Sequence, residues 1–175
     1  LFRSNPSMSK AYSGLARALF DKSQFEESLP IFEKAIALND KDPNALLYYG
    51  IAHQKLGHWE PALNQLDKVI ALTPNNALAH ALLGSVHAKL NHPEDAIRHL
   101  RAALESKVED PGTRLTLAGV LFSQGQFDEA APHYEAALKA FPDSFEAHNN
   151  LGVILINQKK YESGLQHIQT ALKIS

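Results

Sequence analysis

Histidine and carboxylate side chains are concentrated in one short stretch of the sequence, HAKLNHPEDAIRH, which runs from His87 to His99. This stretch holds three histidines, one glutamate and one aspartate. Imidazole nitrogens and carboxylate oxygens are zinc ligands, and the same groups serve as general acids and bases. Whether they can act together depends on the secondary-structure elements that position them.

The composition is that of an ordinary globular protein. The chain has 175 residues, of which 45% are apolar and 21% are charged, and its net charge is −2. It contains no cysteine, which excludes disulfides and thiolate metal ligands. It has no Lys/Arg run, which disfavours nucleic-acid binding, and no apolar run long enough for membrane insertion. The start, LFRSNPSM, has neither an initial Met nor a targeting segment, so we interpret the chain as part of a longer protein. The compartment is not assigned, although the cytoplasm is slightly favoured.

A 34-residue repeat organises the sequence. A small residue among apolar ones recurs in YYGIAHQKLG, LLGSVHAKL, LAGVLFSQG and NLGVILINQ, so that Gly50, Gly84, Ala118 and Gly152 lie 34 residues apart. This register predicts a lead-in over residues 1–8 and a single solenoid over 9–175, with repeats 9–42, 43–76, 77–110, 111–144 and a shortened 145–175. Positions below are counted from the first residue of each repeat.

Each repeat is predicted to form two amphipathic helices. Apolar residues occupy positions 7, 8 and 11, then 20, 21, 24, 27 and 28, a spacing that is typical of helices with one buried face. Small residues at positions 8 and 20 allow two helices to approach closely. Large residues at position 7 are expected to fill the space beside them, and these are Leu15, Tyr49, Leu83, Leu117 and Leu151. Pro43 and Pro111 are expected to begin first helices. A turn is predicted at position 15, which holds Ser23, Gly57, Asn91, Gly125 and Lys159.

The same register distributes the nine histidines over four positions. These are His80 and His148 at position 4, His53 and His87 at position 11, His58 and His92 at position 16, and His99, His133 and His167 at position 23. Histidines that share a position lie at least about 10 Å apart across two packed helices. They cannot share a zinc ion that each must reach at about 2 Å. We therefore predict no metal and no cofactor. His53 and His87 are expected at the edge of the core, and the others, including His99, on the solvated surface.

The stretches LGHWEPALNQLDKVIALTPNN and QGQFDEAAPHYEAALKAFPDS complete a resemblance to tetratricopeptide-repeat (TPR) arrays, which covers residues 9–175. The chain departs from that pattern at position 4, at position 32 in Asp40 and Val108, and at position 17 in Pro93. The resemblance implies an all-α fold, a right-handed α-solenoid of antiparallel helix pairs that forms the TPR superhelix. In such a fold the first helices line a concave groove.

The resemblance also implies that positions 2, 5, 6, 9, 12 and 13 face this groove. The residues predicted to bind a partner there are Arg17, Tyr48, Ile51, Lys55, Leu82, Lys89, Phe122, Asn149, Asn150 and Asn157. The middle of this groove is predicted to be apolar and suited to an amphipathic helix or an apolar extended peptide, and it is formed by Tyr48, Ile51, Leu78, Leu82, Leu115 and Phe122. Leu47 also occupies a position that is implied to face the groove. The alternative is that some of these residues pack between adjacent first helices as core.

Two binding patterns of the TPR family are not matched. The co-chaperone clamp for a carboxylate needs Lys and Asn residues at positions that here hold Ser13, Arg17, Tyr48, Leu78 and Leu82. The asparagine ladder of TPR-bearing glycosyltransferases at position 6 is represented only by Asn150. No phosphate-binding loop or catalytic motif is present either.

The sequence therefore favours a non-catalytic protein–protein interaction scaffold, and not an enzyme. The alternative is a substrate-recruiting or regulatory TPR region of a larger enzyme such as a transferase. The expected partner is a protein or peptide, with no nucleic acid and no direct membrane insertion. The last helix carries Ile168, Leu172 and Ile174 without a polar capping helix, so we expect further repeats, a partner or self-association to cover it.

Overall fold

The computed structural model describes residues 6–105 and 110–174, and within these ranges all regular secondary structure is helical. Two predicted features, the start of the lead-in at 1–5 and the departure at Val108, lie outside the described residues. The described helices are α1 Pro6–Asp21, α2 Phe25–Leu38, α3 Pro43–Lys55, α4 Trp59–Leu72, α5 Ala77–Lys89, α6 Pro93–Leu104, α7 Pro111–Ser123, α8 Phe127–Leu138, α9 Phe145–Asn157 and α10 Tyr161–Ile174. None of them has both the length and the hydropathy needed to cross a membrane.

The helices divide between two compact units, Leu1–Leu90 with α1 to α5 and Asn91–Ser175 with α6 to α10. In unit 1, α1 packs with α2 and α3 with α4, while α2 also packs on α3 and α4 on α5. In unit 2, α7 packs with α8 and α9 with α10, while α6 packs on α7 and α8 on α9. Neighbouring first helices also touch, α1 with α3, α3 with α5 and α7 with α9. Each unit is therefore a layer of first helices beside a layer of second helices, as the repeat register predicts.

The turns within the repeats lie where the sequence predicts them. Among the described residues, those with positive φ are the five at position 15, with values of 61° at Ser23, 75° at Gly57, 59° at Asn91, 70° at Gly125 and 62° at Lys159. This left-handed conformation ends the first helix and reverses the chain into the second. Ser23 and Lys159 adopt it although a side chain disfavours it by about 1 kcal/mol.

Close helix contact explains the small residues at positions 8 and 20. A Cβ added at Gly152 in α9 would lie 2.8 Å from the Ile168 side chain and 3.0 Å from the backbone oxygen of Gly164 in α10. A Cβ at Gly164 would lie 2.9 Å from the Gly152 oxygen. Because two backbones meet there, neither position has room for a methyl group. Pro30 and Pro132 lie inside α2 and α8, which continue through them.

One expected core position is exposed. At position 7, Tyr49, Leu83, Leu117 and Leu151 are buried, but the prediction for Leu15 was wrong, since its side chain is 51% exposed. Tyr49 packs against Phe32 of the preceding second helix, with ring centroids 5.9 Å apart. Within the described residues no helix precedes α1, so Leu15 has no equivalent neighbour.

Candidate functional site

The face of unit 1 formed by α1, α3 and α5, here called the unit 1 face, holds a pocket of about 380 Å³. Arg17 of α1 and Tyr48 of α3 line this pocket together with Ser13 and Asn44. The Arg17 guanidinium carbon lies 3.7 Å from the centre of the Tyr48 ring, and Arg17 Nε donates to Asp21 Oδ1 at 2.8 Å. A guanidinium over an aromatic face is attractive and restricts both side chains. The structure thus brings two of the predicted site residues into one preorganised group.

Tyr48 also packs against an aromatic side chain. Its ring meets Phe20 edge to face, with centroids 5.4 Å apart, and Phe20 in turn meets Phe25 at 5.2 Å. Tyr48 remains half-buried. An aromatic side chain that is held by its neighbours and stays partly exposed loses little entropy on binding, which makes it suitable as an anchor for a ligand.

Part of the predicted apolar groove is core. Leu47 is only 7% exposed, so its placement in the groove was wrong, because it packs in the cluster that contains Leu46, Leu66 and Leu83. Ile51 and Leu82 are half-buried and pack against that same cluster. The expectation that some groove positions fill the space between helices therefore applies to these residues.

Leu78, Lys55 and Lys89 are among the exposed side chains of the unit 1 face. Leu78 is 52% exposed, and Lys55 and Lys89 are exposed in the last turns of α3 and α5. Neither lysine forms an ion pair with any residue that the structure describes. Helix C-termini favour cations, which accounts for their position structurally. The result is a face with positive charge at the end of each of these two helices.

The face of unit 2 formed by α7 and α9, here called the unit 2 face, has a polar centre. Asn150 Nδ2 donates to Tyr134 Oη at 2.9 Å, and Asn149 Nδ2 donates to Asn150 Oδ1 at 3.0 Å. The Tyr134 side chain comes from α8 and is fully buried. Burial raises the pKa of Tyr134 to about 12, and the nearby Glu146 carboxylate acts in the same direction. The two predicted asparagines are therefore held as one cluster.

A second pocket, of about 620 Å³, opens between α7 and the loop that precedes α9. It is lined by Gly112, Leu115, Thr116, Phe141, Pro142, Asp143 and Ser144. Phe141 is 43% exposed and was not among the predicted site residues. It lies at position 31, at the end of a repeat, where the helical pattern carries no signal about a groove. Of the residues predicted to face the groove, Leu115 is the apolar one that lines this pocket.

None of the four predicted site residues of unit 2 lines a described pocket, and Phe122 and Asn157 also lie outside the asparagine cluster. Phe122 is half-buried, and its ring packs against Phe127 and Tyr134, at centroid distances of 5.4 Å and 6.5 Å. Asn157 is exposed at the C-terminal end of α9. Their roles in binding stay predictions.

Comparison with known proteins agrees with the repeat register. Sequence profiles described as Tetratricopeptide repeat match residues 19–86, 79–115 and 115–175. The chain belongs to the tetratricopeptide-repeat family. No curated protein matches the sequence.

Solved structures share the TPR fold of this chain. YrrB, described as a TPR protein with an unusual peptide-binding site, is 24% identical, with a TM-score of 0.82 over 94% of this chain and 84% of its own. MamA is 20% identical, with a TM-score of 0.84 over 95% of this chain and 91% of its own. MamA of Desulfovibrio magneticus RS-1 is 22% identical, also with a TM-score of 0.84, over 95% and 94%. At these identities the likeness establishes the TPR fold alone.

Several histidines of this TPR chain are less exposed than their register predicts. His99 was expected on the surface but is only 5% exposed, so that prediction was wrong. In the last repeat, position 23 faces the first helix, since His167 Nδ1 lies 2.8 Å from Nδ1 of His148 at position 4. His53 is 8% exposed, as expected for the core edge, and burial lowers its pKa, with His58 acting in the same direction. Among the described residues no three metal-ligating side chains converge.

Proposed function

We propose that this TPR protein is a non-catalytic interaction scaffold that binds a peptide or helix of a partner protein on the first-helix faces of its units. The observation that carries the proposal is the Arg17–Tyr48 group in its pocket on the unit 1 face. An aromatic ring stacked under a guanidinium combines apolar contact with directed hydrogen bonding, and such residues dominate protein interfaces.

The remainder of the unit 1 face supports the same function. Exposed Leu78 offers apolar contact, while Lys55 and Lys89 have charges that no described residue neutralises. Long-range attraction between these lysines and acidic residues of a partner would raise the association rate. We therefore expect the segment bound by unit 1 to carry acidic residues beside at least one apolar side chain.

The known proteins are consistent with this proposal. YrrB, which shares the fold, is described as having a peptide-binding site. Solenoids of stacked repeats offer extended surfaces for such ligands. The second hypothesis, a substrate-recruiting TPR region of a larger enzyme, would use the same surfaces and is distinguished by whether the bound partner is modified.

The proposal is tested by affinity capture from cells with three forms of the chain. One is wild type. The face variant carries Arg17→Glu, Leu78→Asp and Lys89→Glu, all on first helices. The control variant carries Lys34→Glu, Leu72→Asp and Lys68→Glu, which change charge and apolar surface equally but lie on second helices. Circular dichroism establishes that all three fold.

We expect wild type and the control variant to capture the same partner proteins, and the face variant to lose them. If the face variant still captures these partners as well as the control variant does, binding on the unit 1 face is contradicted. Loss from both variants alike would point to a general effect of charge and not to this surface.

A further inference from the structure

The pocket between α7 and the loop that precedes α9 has room for a side chain of a ligand. Its volume of about 620 Å³ lies within the roughly 300–1,000 Å³ that small-ligand sites occupy. Leu115, Phe141 and Pro142 line it with apolar surface, and Phe141 is 43% exposed. We call it the Leu115 pocket. Because exposed apolar surface is unfavourable in water, an apolar group that covers these three side chains is stabilised there.

Gly112 lines the Leu115 pocket, and helix packing does not account for this glycine. A Cβ built on Gly112 would lie 3.5 Å from Oδ1 and 3.9 Å from Oδ2 of Asp110, which are ordinary contacts. Apart from its neighbours in the chain, no other described side chain comes within 4 Å of that position. At Gly152, by contrast, a Cβ would lie only 2.8 Å from Ile168. A larger side chain in place of Gly112 would therefore be tolerated by the fold but would take up part of the pocket.

The loop that forms one wall of the Leu115 pocket is held by hydrogen bonds. The backbone N–H of Phe141 donates to the oxygen of Ala137 at 2.9 Å, and the N–H of Ser144 donates to the oxygen of Phe141 at 3.1 Å. His148 Nε2 donates to the carbonyl oxygen of Pro142 at 2.9 Å. Since a wall that is fixed in advance loses little entropy when a ligand arrives, the pocket is preorganised for binding.

Asp143 supplies the charged group among the described lining residues of this pocket. Its carboxylate is exposed and forms no ion pair or hydrogen bond with the residues that the structure describes. The neighbouring hydroxyl groups are engaged, since Ser144 Oγ accepts the N–H of Ala147 and Thr116 Oγ1 donates to the oxygen of Gly112. A ligand that covered Asp143 without donating to it would take a charge out of water unpaired, which is unfavourable. The pocket therefore favours an apolar group that ends in a hydrogen-bond donor.

We propose that the Leu115 pocket receives an aromatic side chain with a hydrogen-bond donor, tyrosine or tryptophan, from the peptide bound on the unit 2 face. This rests on the proposed peptide-binding function. The ring packs against Leu115, Phe141 and Pro142, while its O–H or N–H group donates to Asp143. Contact between aromatic rings adds to the stabilisation that burial alone provides.

Other side chains match the pocket less well. Leucine covers the apolar surface but has no donor for Asp143. The cation of arginine pairs with Asp143 but has to give up water beside apolar side chains.

The subsite can be tested by NMR titration of the chain with four capped amino acids, the N-acetyl amides of tyrosine, phenylalanine, leucine and arginine. Tyrosine and phenylalanine form a matched pair, because they differ only in the hydroxyl group. We expect the tyrosine amide to shift the backbone amide signals of Leu115, Thr116 and Asp143. We also expect it to bind about threefold more tightly than the phenylalanine amide, and more tightly than the other two.

Two variants locate the effect. Asp143→Ala should bind the tyrosine and phenylalanine amides equally, because the acceptor is removed. Its matched control is Asp40→Ala, which removes an exposed acidic residue from the loop before α3 and should leave the tyrosine preference intact. Gly112→Leu should weaken binding of all four amides by taking up pocket volume. Circular dichroism should show that it stays folded, since leucine favours the helix more than glycine does.

Equal affinity of wild type for the tyrosine and phenylalanine amides would overturn the proposal, as would tighter binding of the leucine or arginine amide. A tyrosine preference that survives in Asp143→Ala would contradict it as well. Shifts confined to residues outside the Leu115 pocket, or the absence of any shift, would exclude the subsite. The wider proposal would then be decided by the capture of partners with the unit 1 face, which does not depend on this pocket.

Discussion

His148 and His167 show how one tertiary contact sets the proton positions on two side chains. His148 Nε2 lies 2.9 Å from the carbonyl oxygen of Pro142, which can only accept, so His148 carries its hydrogen on Nε2. The Nδ1 atom of neutral His148 is then an acceptor, and His167 must donate to it from Nδ1 across 2.8 Å.

Stability should fall in mild acid as His167 becomes protonated. Burial lowers the pKa of His167, and His148 lowers it further, while the Glu135 carboxylate opposes them in part. In the unfolded chain the pKa of His167 returns to the ordinary histidine value of about 6.5. Below about pH 6.5 the unfolded state therefore binds more protons than the folded state. The contribution of neutral His167 to stability is complete above that pH, and it is lost as the pH falls towards the pKa of His167 in the folded protein.

This pH dependence can be measured by urea unfolding at pH 7.5, 6.5 and 5.5. His167→Gln should reduce the loss of stability between the highest and lowest pH. It should not abolish the loss, because burial also lowers the pKa of His53 and His133. An unchanged pH dependence in His167→Gln would show that the pair does not contribute.

Two glycines on first and second helices should respond to alanine in opposite ways. Gly164→Ala places a methyl group 2.9 Å from a backbone oxygen and 2.7 Å from Ile156, and we expect it to destabilise the protein by about 1–3 kcal/mol. In Gly119→Ala the close contact, at 3.2 Å, is with the end of the exposed Glu146 side chain, and Tyr134 Oη lies at an ordinary 3.9 Å, so the better helix propensity of alanine should stabilise by about 0.5–1 kcal/mol. Urea unfolding of both variants measures the difference, and the same sign for the two would contradict the packing described.

At the level of whole helices, capping recurs with the repeat. Asp42, Asn76, Asp110 and Ser144 all occupy position 34, and each side chain accepts a backbone N–H of the first helix that follows. Such caps satisfy amides that the helix itself leaves unbonded. The second helices of repeats one to four begin without a side-chain cap, at Gln24, His58, His92 and Gln126. These four depend on packing with their neighbours for their stability.

Removing one cap should therefore have a measurable cost. Asp42 Oδ1 accepts from the amides of Asn44 and Ala45 at 3.0 Å and 3.2 Å, and Asp42→Ala should destabilise by about 1 kcal/mol. Asp42→Asn should retain most of that stability, because asparagine also caps. Asp40→Ala, an exposed neighbour outside the cap, serves as the control in thermal unfolding. An equal loss in Asp42→Ala and Asp40→Ala would mean that the cap contributes nothing.

At the scale of the whole molecule, apolar side chains remain uncovered on the first and last described helices. Tyr161, Leu165 and Leu172 of α10 are 57%, 53% and 67% exposed, and Leu15 of α1 is 51% exposed. Inside each unit the corresponding surfaces meet, since a second helix packs on the first helix that follows it. The same packing rule would allow α10 of one copy to receive α1 of another.

We therefore expect the chain to self-associate through these helices as its concentration rises. Leu165→Gln combined with Leu172→Gln should lower the average mass found by sedimentation velocity and leave the helix content unchanged. As a control, Leu78→Gln removes an exposed leucine from the unit 1 face and should have no such effect. A wild type that stays monomeric at every concentration would contradict self-association.

The sequence by itself determined the periodic features of this protein. A 34-residue period specified which segments become helices, where the chain reverses at position 15, and that the chain is a TPR array. These features depend on contacts within a repeat or on backbone preferences that recur in each one, so a single sequence contains them. The column of caps at position 34 was readable in the same way but was missed.

Only the tertiary structure decided which side chains stay accessible. Leu47 and Leu78 were both predicted to face a groove, yet one is buried and the other exposed, because their neighbours come from other helices. The burial of His99 and the pocket beside Phe141 likewise depend on side chains that are distant in sequence or on another helix. Helical periodicity indicates which face of a helix is apolar, but the surface left for a ligand depends on how the helices pack.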